Sequence, residues 1–259
     1  MQRIFITGAS SGIGEALVRQ YAGQGASIGL VARRCETLET LRSSLPHPDR
    51  HKVYALDVND HAALAAAAAD FLAHFGGVDV VIANAGISHG NLSEFPEDLP
   101  VFEQIIATNL LAAVATFTPF VATMKAQRQG RLVGIASVAG IRGLPGASAY
   151  SASKAATISY CESLRVELKS SGIKVVTIAP GYIATPMTAK NAYSMPFLMP
   201  AEKFARAAAV AVARGTSYAV IPWQMGVVAK LLRLLPNAIY DFVFSRAPHK
   251  ARQATEAVK

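Results

Sequence analysis

Short runs of apolar and β-branched residues alternate along this chain with longer segments whose apolar positions recur at helical spacing. Arg3–Thr7, Ser27–Ala32, Val53–Leu56, Val78–Ala83, Leu132–Ala136, Lys174–Ala179 and Ser217–Ile221 read as strands. Several are apolar throughout, the mark of strands covered on both faces in a parallel sheet. Between them, Glu15–Gly25, Glu36–Leu45, His61–Phe75, Phe102–Lys125, Tyr150 to about Lys169 and Pro200–Arg214 read as helices. Gly76 and Gly172 supply helix stops, and Pro119 predicts a kink or break inside its helix. Strict alternation of the two patterns predicts an α/β fold, one doubly wound parallel sheet of about seven strands. Ligands of such sheets bind beyond the carboxyl ends of the strands. Gly8–Gly14, Arg33, Asp57, Asn84, Ser137 and Pro180 all fall there, so they should line one crevice.

The first strand runs directly into Thr7-Gly8-Ala9-Ser10-Ser11-Gly12-Ile13-Gly14. Gly8 permits a tight turn, Gly12 lets the backbone approach a pyrophosphate, and Gly14 allows a helix to pack closely on its strand. The helix that follows presents free amides and the positive end of its dipole to phosphates. A Gly-rich turn alone is a weak signal. After the first strand of an α/β chain it is a strong one.

Ser137 closes a strand, and Tyr150 and Lys154 follow on a helix at positions i and i+4. That spacing puts phenol and ammonium on one helix face. A nearby cation favours the phenolate, and lowering a phenol's pKa by roughly 3 units takes about 4 kcal/mol. Hydroxyl, acidified phenol and ammonium together can move a proton onto or off a carbonyl or alcohol oxygen. Spacing alone also fits two polar residues on a solvated helix face; their place at the crevice favours chemistry.

The Thr7–Gly14 turn, Asn84-Ala85-Gly86, Asn109, Ser137, the Tyr150/Lys154 pair and Pro180-Gly181 with Thr185 resemble the classical short-chain dehydrogenases/reductases. The resemblance runs from about residue 2 to about residue 221, in the family's order and spacing. It implies a single Rossmann-type domain and a nicotinamide cofactor. It also implies that Tyr150 is the proton donor or acceptor, and that Lys154 lowers its pKa and holds the nicotinamide ribose. Ser137 would bond the substrate oxygen, and Asn109 would hold a water in a proton relay. The cofactor set carried over is Gly8, Ser10, Ser11, Gly12, Ile13, Gly14, Asp57, Val58, Asn84, Ala85, Gly86, Tyr150, Lys154, Pro180, Gly181, Ile183 and Thr185. Asp57 with Val58 resembles the family's adenine-edge contact, and Asn84–Gly86 reads as more architectural than chemical.

Cofactor choice follows from the end of the second strand. An acid there would take the ribose hydroxyls and repel a 2′-phosphate. This chain has Ala32, Arg33 and Arg34 instead, with Glu36 the first acid. A guanidinium offers a phosphate paired donors, so the position favours NADP(H) over two merely solvated arginines. In the family, specificity is set after the catalytic serine and after Pro180-Gly181, which here are Val138–Leu144 and Tyr182–Met199. Both segments are apolar, and Val138, Leu144, Tyr182 and Met187 are the candidate substrate contacts. An apolar ketone, aldehyde or alcohol is the substrate they predict. A cofactor-binding scaffold or sensor without turnover is the alternative, and the intact Asn-Ser-Tyr-Lys set argues against it.

Composition refines the picture at three points. The net charge of +8 comes without any Lys/Arg block, which argues against a nucleic-acid partner. Cys35 and Cys161 form no disulfide framework, the six histidines show no metal-ligand spacing, and no signal peptide or apolar run of 18 residues is visible. A reduced, cytoplasmic setting and no metal are the expectations. The last part of the chain departs from the family: after a 1–222 domain with a lid around 182–214, residues 223–259 form an apolar, basic tail. From residue 229 onward Lys230, Arg233, Arg246, Lys250, Arg252 and Lys259 face only Asp241 and Glu256. This composition fits a lid or a homo-oligomer face, dimer or tetramer. It equally fits a peripheral membrane contact through 224–252.

Overall fold

The computed structural model describes residues 1–189, 191, 193–245, 250 and 252. Seven strands form one parallel sheet: β1 (Arg3–Thr7), β2 (Ser27–Ala32), β3 (His51–Ala55), β4 (Val80–Ala83), β5 (Gly130–Ile135), β6 (Ile173–Pro180) and β9 (Tyr218–Ile221). Their order is β3-β2-β1-β4-β5-β6-β9, so the direction of winding reverses between β1 and β4. That reversal opens a crevice at the carboxyl edge of the sheet. A two-residue pair, β7 (Ile183–Ala184) with β8 (Met199–Pro200), ties the base of the loop after β6.

Helices α1 (Gly12–Gly23), α2 (Cys35–Ser43) and α7 (Ala201–Arg214) cover one face of the sheet. Helices α3 (His61–Phe75), α5 (Ala112–Gln127) and α6 (Ser148–Glu167) cover the other, and α4 (Leu99–Ile106) packs on α6. Both faces of the central strands are therefore buried, as their unbroken apolar runs require. Phe5, Phe71 and Phe120 meet at ring-centre distances of 4.9 to 6.1 Å. Gly29 on β2 makes room for them, because a Cβ there would lie 2.7 Å from the ring of Phe71.

The first two strands fall where the sequence pattern puts them, and the others shift at an end by one or two residues, because pairing with neighbours, and not apolarity alone, sets where a strand ends. The long helix differs more. Pro119 does not end it: α5 continues through that proline to Gln127. The irregularity lies upstream instead, where Ala107–Leu111 winds as a π-helical segment between α4 and α5. Such segments are frequent at functional sites, and this one carries Asn109. The combined stretch Pro96–Gln127 is long and apolar enough by composition to cross a bilayer. It instead buries Ile105, Phe117, Phe120 and Met124 in the fold.

After β9 come α8 (Trp223–Leu234) and α9 (Asn237–Phe244). Of the basic positions expected in the tail, Arg246 and Lys259 lie outside the described residues. Lys250 donates to the Ser88 hydroxyl at 3.0 Å, and Arg252 pairs with Asp98 and Glu97 at 2.9 and 3.2 Å while stacking over Phe95. Lys250 and Arg252 thus lie against the loop that follows β4.

Candidate active site

The turn between β1 and α1 is built on backbone geometry that only glycine adopts freely. Gly8 and Gly12 have φ of +68° and +56°. Gly14 is not strained, but a Cβ on it would overlap the carbonyl oxygen of Gly8. The side chain of Asn84 fixes this turn from β4, donating to the carbonyls of Thr7 and Gly8 at 3.0 and 3.2 Å. The Thr7 hydroxyl in turn accepts from the amides of Asn84 and Ala85. Thr185 closes the turn from above, since a Cβ on Gly12 would sit 3.1 Å from its methyl group.

These residues open onto a cleft of about 360 Å³. Its walls include Gly8, Ser10, Ser11, Gly12, Ile13 and Gly14 from the first turn, with Arg33, Arg34, Asp57 and Val58 at the ends of β2 and β3. Asn84, Ala85, Gly86, Ser137, Tyr150 and Lys154 line it in the middle, and Pro180, Gly181, Ile183, Thr185 and Met187 beyond β6. Every cofactor position read from the sequence lies on this one surface. A cleft of that volume suits a small-molecule ligand, and the glycine turn at the start of α1 suits its phosphates.

At one end, Arg34 donates to the Ser10 hydroxyl at 3.3 Å, and Arg33 lies 3.9 Å from Asp57 with 72 % of its side chain exposed. Asp57 is committed on its other oxygen to the amide and side chain of Asn59 at 2.9 and 3.0 Å. Two guanidiniums and a hydroxyl thus surround the end of β2, with one carboxylate partly engaged elsewhere.

At the other end stand Ser137, Tyr150 and Lys154. Ser137 is buried beside Tyr150, and its oxygen accepts from the Ala139 amide at 3.1 Å. Burial raises the Tyr150 phenol above its ordinary value, and the Ser137 hydroxyl pulls it the other way. The expected acidification is therefore not the resting state of the phenol. The reason is geometric: Lys154 Nζ is 5.8 Å from the Tyr150 ring centre and donates to the Ile135 carbonyl at 2.8 Å. Burial also acts on the ammonium, pulling it from 10.5 down to about 8.

Asn109 sits behind this group and does not line the cleft wall. Its side chain accepts from the Ile87 amide at 2.8 Å and donates to the Ile87 carbonyl and the Ser153 hydroxyl, each at 3.0 Å. These bonds clamp the loop after β4 onto the π-helical segment. Gly86 leaves a gap between the two, because a Cβ there would lie 3.2 Å from Asn109 Oδ1 and 3.5 Å from Lys154 Nζ.

Of the four substrate positions, Met187 lines the cleft, while Val138, Leu144 and Tyr182 do not. Leu144 is held through its amide by the Ser151 hydroxyl at 3.1 Å, and Tyr182 meets Tyr193 at 6.3 Å between ring centres. Sequence reasoning passed over Ile87, Asn59 and Thr188 in the cleft. It also passed over Arg142, whose Nη1 donates to the carbonyls of Leu232 and Leu235 at 2.6 and 2.8 Å. An arginine inside an apolar loop was the available signal, since such a charge needs a partner.

The model of the short chain dehydrogenase family matches residues 2–195. The chain belongs to the short-chain dehydrogenase/reductase family. As such it is an oxidoreductase with a Rossmann-type nucleotide-binding fold. It is 36 % identical over 238 residues to an uncharacterised oxidoreductase of Myxococcus xanthus, covering 91 % of this chain and 93 % of that one. An uncharacterised oxidoreductase of Mycobacterium tuberculosis is 38 % identical over 240 residues, covering 91 % and 94 %. Among solved structures, the 3-ketoacyl-(acyl-carrier-protein) reductase of Brucella melitensis, complexed with NADH, superposes with a TM-score of 0.76 at 26 % identity. That match covers 85 % of this dehydrogenase and 95 % of the reductase. The two oxidoreductase matches are long enough to take in α8, beyond the last residue of the family model, 195.

Proposed function

We propose that this protein is an NADPH-dependent carbonyl reductase, reversibly an alcohol dehydrogenase, acting on an apolar ketone, aldehyde or secondary alcohol. The observation that carries the reading is Tyr150, with Ser137 and the buried Lys154 beside it, at one end of a cleft that ends in Arg33 and Arg34. A bound nicotinamide supplies the hydride to, or takes it from, the substrate carbon.

The residues of the chain manage the proton and the charge. The Ser137 hydroxyl holds the substrate oxygen in place, and Tyr150 transfers its proton to that oxygen. A phenol raised by burial stays protonated at neutral pH and is ready to act as the acid. The Lys154 ammonium stabilises the phenolate that remains, and it holds the ribose. A water held near Asn109, behind Lys154, would replace the proton. Ser10, Arg33 and Arg34 take the 2′-phosphate of NADPH, where charge-assisted bonds are the strong ones. Asp57 and Val58 hold the adenine edge. Met187, which lines the cleft, favours a substrate without charge.

Purified protein with NADPH and a panel of apolar ketones and aldehydes tests the reading through loss of NADPH absorbance. Turnover with NADPH well above that with NADH supports it. A preference for NADH would overturn the cofactor assignment, and no turnover on any panel member would overturn the activity.

A further inference from the structure

The two tail helices bury one side and leave the other uncovered. Met225, Gly226 and Ala229 of α8 and Tyr240 of α9 pack inward. Trp223, Val227, Leu231 and Leu234 face out at successive turns of α8, with Leu234 79 % exposed. Ile239, Phe242 and Val243 do the same on α9, where Phe242 is 80 % exposed. Single exposed apolar residues are ordinary, but seven large ones on two consecutive helices, four of them along one face of α8, mark a contact surface. The exposed Lys230 and Arg233 interleave with this stripe, and Asp241 is the one acid on the two helices.

We propose that the outer face of α8 and α9 is a docking surface for an anionic lipid bilayer. An apolar stripe with an aromatic at one end and cations at its margin is suited to lie in the interface of a membrane. Its charge complements an anionic headgroup layer, and the chain's net +8 adds to that attraction. A second copy of the chain is the competing occupant, and the vesicle test below separates the two.

The docked face is joined by hydrogen bonds to the loop after Ser137. Arg142, five residues after Ser137, donates to the carbonyls at the end of α8 and lies 3.9 Å over the Tyr240 ring, while Tyr240 donates to the Gly143 carbonyl at 2.5 Å. At the start of α8, Met225 fills the space a Cβ on Gly181 would take. Docking therefore sets the loop beside the catalytic serine near the lipid surface, and the substrate is a carbonyl compound that partitions into the bilayer. This last step rests on the carbonyl-reductase reading, whereas the docking does not.

The test is co-sedimentation of the full chain with vesicles of phosphatidylcholine and phosphatidylglycerol in equal parts, and with pure phosphatidylcholine. The wild type should bind the anionic vesicles about ten-fold better and lose that excess in high salt. Leu231→Glu with Phe242→Glu should cut binding at least about ten-fold while leaving NADPH binding unchanged. Lys230→Ser with Arg233→Ser, which leaves the apolar stripe intact, should remove the preference for anionic lipid. Three outcomes would overturn the docking: wild type left in the supernatant, equal pelleting of the glutamate variant, or a wild-type dimer that this variant splits without any vesicle binding. Binding to vesicles with no reductase activity on any carbonyl would retain the docking and remove the substrate inference alone.

Discussion

Lys154 Nζ donates at 2.8 Å to the Ile135 carbonyl while standing 5.8 Å from the centre of the Tyr150 ring. The ammonium is thus anchored to the end of β5, beside the phenol and out of bulk water. Burial lowers it to about 8 and raises the phenol, so neutral pH finds a charged lysine and a protonated tyrosine. In the proposed reduction the phenol gives up its proton and the ammonium stays to stabilise the phenolate.

A pH dependence follows. Below about 8 Lys154 is charged and able to stabilise the Tyr150 phenolate; above it the ammonium is lost. The kcat/KM for carbonyl reduction should be level from neutral pH to near 8 and fall beyond it. Lys154→Met should lower the rate about 100-fold or more and remove that limb. A pH profile of wild type and variant checks both.

Ser137→Ala removes a donor to the substrate oxygen. Loss of one such preorganised donor typically costs about 3 kcal/mol of transition-state stabilisation, so kcat should fall about 100-fold or more. The same change deletes the cap on the Ala139 amide, at about 1 kcal/mol of stability. Steady-state kinetics and thermal melting separate the two.

Arg33→Ala and Arg34→Ala test cofactor selection. Each charge-assisted bond to a phosphate is worth about 1.5–3 kcal/mol, so either change should weaken NADPH binding about ten-fold or more. NADH affinity should hardly move. Fluorescence titration with both cofactors distinguishes this from a general loss of the site.

Gly14→Ala places a Cβ against the Gly8 carbonyl, which Asn84 also holds. The turn cannot yield without breaking that bond. The variant should melt several degrees lower and lose most of its cofactor affinity, both visible in a thermal shift with and without NADPH.

Much of this was legible in the residues because the decisive features are local. Gly8 to Gly14 declare their turn, and Tyr150 and Lys154 declare a shared helix face. The unbroken apolar run ending at Ala83 declares a strand buried on both sides. What was not legible depends on contacts between distant segments. Pro119 looked like a break, yet the winding defect sits at Ala107–Leu111, where Asn109 is clamped to Ile87. The Tyr150 phenol looked acidified by spacing, but the balance between burial and the lysine's distance is a property of the folded site. Arg142 shows no pattern within its own loop, because its partners lie some ninety residues further on.

Tyr150→Phe is the most direct test of the central claim, since it deletes one hydroxyl and keeps the ring in place. Single-turnover reduction of an apolar ketone should be lost by at least about 1,000-fold while NADPH binds as tightly as to wild type. Undiminished turnover in that variant would contradict the account.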